Sequence, residues 1–88
     1  MLIPVHHTRF DGEVEKAKKR GWDISKLKKI MEHLTQEKPL APKHRNHRLK
    51  GDFVGHWECH IEPDWLLIYK KTSTHIYFAR TGTHSDLF

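Results

Sequence analysis

The apolar residues of this chain follow two rhythms, one in each half. Phe10, Val14 and Ala17 recur at helical spacing. Ile24, Leu27, Ile30, Met31 and Leu34 then trace a second, clearer i, i+3, i+7 stripe. Residues 8–11 match the pattern that opens a helix, with Thr8 as the expected cap. Gly21 suits the end of the first helix, and Asp23 can cap the second. Prolines at 39 and 42 make residues 38–46 a loop. From about residue 47 the period changes to two. Between residues 53 and 61, Trp57, Cys59 and Ile61 fall on one side of a strand, and His56, Glu58 and His60 on the other. Residues 65–69 are nearly all apolar, as in a central strand covered on both faces. Pro63 and Asp64 mark a short turn before them, residues 70–74 form a hairpin-length polar connection, and residues 75–80 form the next strand, broken by Gly82.

With residues 2–5 as a short first strand, whose Pro4 suits a sheet edge, the order is β-α-α-β-β-β with room for one more strand. This predicts an α+β fold: an antiparallel sheet with a helical hairpin packed on one face. The opposite face is then partly open, and a site can sit there. Eighty-eight residues make a single small domain, 1–88, with a compact core. No apolar run approaches the roughly 20 residues of a membrane-spanning helix, and no signal peptide is visible. The lone Cys59 excludes an internal disulfide and fits a reducing compartment, so a cytoplasmic protein is expected.

Charge divides the chain at the same place as periodicity. Residues 1–50 hold 13 Lys and Arg against 6 Asp and Glu, and residues 51–88 hold 3 against 5. The positive field therefore belongs to the helical half. Lys16, Lys18, Lys19, Lys26, Lys28 and Lys29 lie off the apolar stripes, where they can grip a polyanion such as RNA, or simply keep the surface solvated.

The candidate chemistry lies in the second half. Nine histidines invite a zinc hypothesis, but one cysteine and no paired ligand spacing argue against it, and Cys59 points away from His56 and His60 on a strand. No metal and no cofactor are expected, and Cys59 reads as a small core residue. His47, His60, Asp64, Arg80 and His84 suit RNA cleavage without a metal. That reaction needs a base for the 2′-hydroxyl, a cation for the phosphate and an acid for the leaving 5′-oxygen. Histidine serves the proton steps, a nearby carboxylate orients it, and the arginine fork fits phosphate. Trp65 or Phe88 can stack on a base, although Trp65 equally suits the core. Strict alternation sets Arg80 beside the core residues Ile76 and Phe78, so reaching an open site requires a twist, a bulge or a strand end.

Three motifs carry a resemblance: His47-x-Leu49-x-Gly51; His60-Ile61-x-Pro63-Asp64-Trp65-x-Leu67-Ile68-Tyr69; and Arg80-x-Gly82-Thr83-His84-Ser85-x-Leu87-Phe88. In order and spacing they resemble the YafQ branch of the RelE/ParE toxin superfamily. The resemblance covers the second half by motif and the first half by architecture. It implies a RelE-like fold and the toxin of a type II toxin–antitoxin pair, an endoribonuclease that enters the ribosomal A site and cleaves messenger RNA without a metal. It implies catalytic roles for His47, His60, Asp64 and His84, with His84 a principal proton-transfer residue. It places Arg80 on phosphate, Trp65 in the site wall and Phe88 as the terminal aromatic. The implied partners are a cognate antitoxin protein, the ribosome and messenger RNA, with no membrane. Which of His47, His60 and Asp64 acts as base stays open. The alternatives are a ParE-like toxin that poisons gyrase without nuclease activity, and a passive RNA-binding domain.

Overall fold

A computed structural model describes all 88 residues. Five strands form one sheet in the order β1-β5-β4-β3-β2. They are β1 (Ile3–His6), β2 (His47–Arg48), β3 (Trp57–Glu62), β4 (Trp65–Lys71) and β5 (His75–Gly82). Helices α1 (Thr8–Lys19) and α2 (Ile24–Thr35) connect β1 to the rest, and a one-turn helix, α3 (His84–Leu87), closes the chain. The architecture is α+β, as expected. The sheet is antiparallel through β2–β5 but mixed overall, because β1 pairs with β5 in parallel. A parallel pair requires a long crossover, and the helical hairpin supplies part of it.

Both helices pack on one face. Phe10 and Ala17 of α1 and Leu27, Ile30 and Leu34 of α2 meet Cys59, Leu67, Tyr69, Ile76 and Phe78 from the sheet. Each large apolar side chain removed from water here contributes about 1.5–3 kcal/mol. The sheet's other face carries a smaller cluster of Leu66, Ile68 and the α3 residue Leu87, with Leu49, Phe53 and Ala79 against it. Central β4 is therefore covered on both faces, as its apolar run requires. The hydroxyl of buried Tyr69 donates to Asn46 Oδ1 at 2.6 Å, which tethers the segment leading into β2.

The helix ends follow local chemistry, with one correction. Thr8 is not the cap of α1; His7 occupies that position without a side-chain hydrogen bond, and Thr8 is already helical. Gly21, at φ +80°, reverses the chain after α1, and the Trp22 and Gly21 amides donate to the carbonyls of Ala17 and Lys18. Asp23 caps α2 by accepting from the Ser25 amide at 3.0 Å. The same reversal after α2 is made by Glu37, at φ +59°, where a glycine would sit without strain. Residues 51–53 form a tight turn, so the strand expected from 53 begins only at Trp57.

β3 and β5 each outrun the edge strand beside them, and a side chain covers each exposed edge. β2 pairs only with Trp57 and Glu58, and beyond it the His60 carbonyl accepts from His44 Nδ1 at 2.7 Å. β1 stops at Phe78, and beyond it Glu13 Oε1 accepts the Thr81 amide at 3.2 Å. Unpaired edges would otherwise expose their amides and carbonyls.

Candidate active site

The site lies on the face opposite the helical hairpin, where β3 presents Glu58 and His60. Their partners across the ladder, Ile68 and Leu66, belong to the smaller cluster on that face. Glu58 is 5% exposed and stands between two imidazoles. His60 Nε2 is 3.3 Å from its Oε1, and His47 Nε2, reaching over from β2, is 3.7 Å away. The rings of His47 and His60 are 6.4 Å apart, and those of His60 and His84 are 5.7 Å apart.

His84 follows the end of β5, where Gly82 pairs with Leu66, the partner of His60 on the other side. Thr83 caps α3 by accepting the Asp86 amide, while the Asp86 carboxylate accepts the Thr83 amide. This reciprocal cap fixes the first turn and the direction of His84. The turn before β4 brings Asp64 alongside. Asp64 Oδ1 accepts the His84 main-chain N–H at 2.9 Å and its ring Nδ1–H at 2.6 Å. Those two bonds hold the Asp64 carboxyl below the usual carboxylate range.

The three histidines share one arrangement. Each Nδ1 faces an oxygen: Arg45 O for His47 at 2.8 Å, Pro63 O for His60 at 3.3 Å, and Asp64 for His84. An Nδ1–H donated there leaves Nε2 as the nitrogen that gains or loses a proton. Ligand atoms of Glu58, His60 and His84 all lie within 4.8 Å of one another. A carboxylate and two imidazoles at that spacing can also hold a divalent cation.

Not every expected residue joins this cluster. Trp65 is a correction. Its indole is 3% exposed, packs 5.0 Å from Trp22 in the main core, and donates to Thr81 Oγ1 at 2.9 Å. It is no wall of the open site, and no base can stack on it there. Arg80 does meet a bulge: Ile68 pairs with Arg80 and Tyr69 with Phe78, leaving Ala79 unpaired. The bulge sets Arg80 opposite Ile68, on the sheet face that carries Glu58 and His60, and from there its Nε and a terminal nitrogen grip Glu13 at 2.8–3.0 Å. Another contact reaches the Asp86 carbonyl. Arg80 therefore makes no ion pair or hydrogen bond with the histidines. Phe88 is 64% exposed, edge-on to Phe53 at 5.6 Å, with one side open to solvent.

Two residues at the site were not among the expected ones. Glu58 was visible as the neighbour of His60 on the same strand face, but only its burial between imidazoles marks it. His44 lies in the proline loop, where no periodicity points to a site. Cys59 is fully buried, and burial pushes its thiol up to about 12, which suits a core residue. The six lysines differ in their partners. Lys16 faces Asp86 at 3.7 Å, Lys18 pairs with Glu15, and Lys26 pairs with Glu62. Lys19, Lys28 and Lys29 are exposed without an ion-pair partner. No helix is long and apolar enough to cross a membrane.

Residues 3–88 match the family model of YafQ, the bacterial toxin of type II toxin–antitoxin systems. The chain belongs to the YafQ toxin family. Among curated relatives, the mRNA interferase toxin YafQ of Escherichia coli K12 is 42% identical over 81 residues, 91% of this chain and 88% of that protein. Among solved structures, the crystal structure of the E. coli DinJ–YafQ toxin–antitoxin complex matches with a TM-score of 0.93 at 39% identity, over 99% of this chain and 97% of its counterpart. A metal-bound toxin from Helicobacter pylori matches with a TM-score of 0.93 at 38% identity over the full length of both chains. The YafQ match spans the helical half as well, which the motifs alone did not reach.

Proposed function

We propose that this YafQ-family toxin cleaves messenger RNA in the ribosomal A site by acid–base catalysis that needs no metal. The observation that carries the reading is the convergence of His60, His84 and Glu58 within 4.8 Å, each imidazole with its Nδ1 already engaged. A similar protein named an mRNA interferase toxin supports the substrate class.

In this mechanism a base takes the proton of a 2′-hydroxyl, and the 2′-oxygen attacks the adjacent phosphorus. The bond to the 5′-oxygen breaks, and an acid returns a proton to that oxygen. The products are a 2′,3′-cyclic phosphate and a 5′-hydroxyl. His84, oriented by Asp64, handles one proton. His60 and His47, both backed by Glu58, handle the other. Imidazolium charge beside the phosphate stabilises the transition state in a site with one buried carboxylate. Arg80 contributes there only when its Glu13 pair opens. Phe88, exposed beside the cluster, offers the stacking surface that Trp65 does not.

Lys16, Lys18, Lys19, Lys26, Lys28 and Lys29 grip ribosomal RNA backbone, a salt-sensitive contact without sequence preference. A cognate antitoxin holds the toxin inactive, by analogy with the DinJ–YafQ complex. The test is primer extension on a translated messenger with purified protein, ribosomes and EDTA, alongside His84→Ala. Cuts in register with codons that need ribosomes, survive EDTA and vanish in the variant support the proposal. Identical patterns from both proteins, or no cuts, overturn it in favour of a gyrase-binding or passive RNA-binding toxin.

A further inference from the structure

A groove of about 1300 Å³ runs from the histidine cluster along the exposed edge of β3, between α2 and the turn at Pro42–His44. His60 and His84 are among its lining residues, so it is continuous with the candidate active site. Along its length it presents Lys26, Lys29, His33, Lys43, His44 and Arg45. The one acid among its lining residues is Glu62, and Lys26 pairs with it. Lys29, Lys43 and Arg45 are exposed and make no ion pair, so their charge is free for a ligand.

Three properties identify the occupant. The volume exceeds the roughly 300–1,000 Å³ typical of a site for one small ligand, which suits a length of chain. The lining is cationic, which suits phosphates. Its apolar residues are aliphatic, among them Ile30, Leu40 and Ile61, and no Phe, Tyr or Trp is present for bases to stack on. A strand held here is held by its backbone, without sequence preference.

We infer that this groove is the track for the substrate strand on one side of the scissile phosphate, and that Lys29, Lys43 and Arg45 are its phosphate grips. The inference rests on the nuclease reading and revises it at one residue: of the six lysines given to ribosomal RNA, Lys29 lines the groove and is assigned to the substrate strand instead. His44 joins track and site. Its Nδ1–H is given to the His60 carbonyl, which leaves Nε2 as its free nitrogen and ties the groove wall to the strand carrying His60.

The experiment measures binding of a short, fully 2′-O-methylated RNA strand, which offers no attacking hydroxyl, by fluorescence anisotropy across a salt series. The intact chain is compared with a groove set, Lys29→Gln, Lys43→Gln and Arg45→Gln together. A control set, Lys18→Gln, Lys19→Gln and Lys28→Gln, has the same charge change outside the groove. The groove set is expected to weaken binding and to reduce the log–log salt slope by about 2, from about 0.7 per lost phosphate contact on a single strand. The control set is expected to leave the slope nearly unchanged while weakening ribosome binding. Equal losses from the two sets would overturn the inference, as general attraction would then explain both. Unchanged strand binding by the groove set, with weakened antitoxin binding, would overturn it too and assign the groove to an acidic protein segment. The readout is binding, so it stands apart from cleavage. Groove-dependent binding by a chain that cuts nothing would sink the nuclease reading and keep the track, and cutting without groove dependence would do the reverse.

Discussion

The guanidinium of Arg20, at the end of α1, holds both carboxylate oxygens of Asp86 in α3, at 2.7 and 3.1 Å. The residues are 66 apart in sequence. Arg20 also lies over Trp22, which packs on Trp65, so the turn that carries His84 is fastened to the helical side of the molecule. Gly82 makes the approach possible, since a Cβ there would come within 2.9 Å of Asp86 Oδ2.

Asp86 therefore couples stability to pH. The Arg20 hydrogen bond, with the Thr83 amide behind it, holds its carboxyl well below the usual range. A depressed carboxyl stabilises the fold above the unfolded value of about 3.9, and that contribution disappears as pH falls through the folded value. Asp86→Asn is expected to melt several degrees below the parent at neutral pH. The gap should narrow as the pH drops below about 4. Thermal melts across that range check this, and a constant gap would contradict it.

His84 is half exposed and its ring takes part in no core packing. His84→Ala is expected to lower cleavage by about 10²–10⁴-fold, the usual contribution of a positioned acid or base, with the melting temperature nearly unchanged. Asp64→Asn keeps the side chain's shape but loses the charge that orients the ring, and should cost less than the alanine change at His84. Single-turnover cleavage and melting, measured on the same preparations, check both.

A divalent cation would compete with the proposed proton chemistry for the same side chains. Glu58, His60 and His84 each offer a ligand atom within 4.8 Å of the others, and the proposed mechanism uses all three. EDTA should leave cleavage unchanged, and added zinc should inhibit it. Glu58→Gln removes a charged ligand, so it should weaken inhibition by zinc while also lowering the metal-free rate. Activation by zinc, or loss of activity in EDTA, would contradict the assignment.

Glu37 holds a left-handed conformation at the end of α2, an arrangement that costs a side-chain-bearing residue about 1–2 kcal/mol. Glycine removes that strain but adds freedom to the unfolded chain. Glu37→Gly is expected to gain about 0.5–1 kcal/mol, seen as a rise of a few degrees in the melting temperature. Cleavage should not change.

Much of the architecture was legible in the sequence because burial writes its own period. The stripe from Ile24 to Leu34 and the unbroken apolar run at residues 65–69 each have one good structural solution. The parallel pairing of β1 was not legible, because four residues do not record which neighbour they join. The cap of α1 was misplaced because Thr8 satisfies the pattern that His7 occupies in space. Within the site, motif order led to His47, His60, Asp64 and His84; in the structure the three histidines gather around Glu58, and Asp64 is bonded to His84. Trp65 and Arg80 sit in the same motifs but face the core and Glu13. A motif records which residues accompany one another, not which way each side chain turns. Glu13 is 67 residues from Arg80, and no local pattern links them.

The chemistry of the cut ends tests the central claim most directly. Fragments from ribosome-bound messenger, cut by the intact chain in EDTA, should carry a 2′,3′-cyclic phosphate or its opened product on one side and a 5′-hydroxyl on the other. Those ends require attack by the 2′-oxygen, the step proposed for the histidine cluster and Glu58. A 3′-hydroxyl facing a 5′-phosphate would mean that water attacked instead, and would contradict the account.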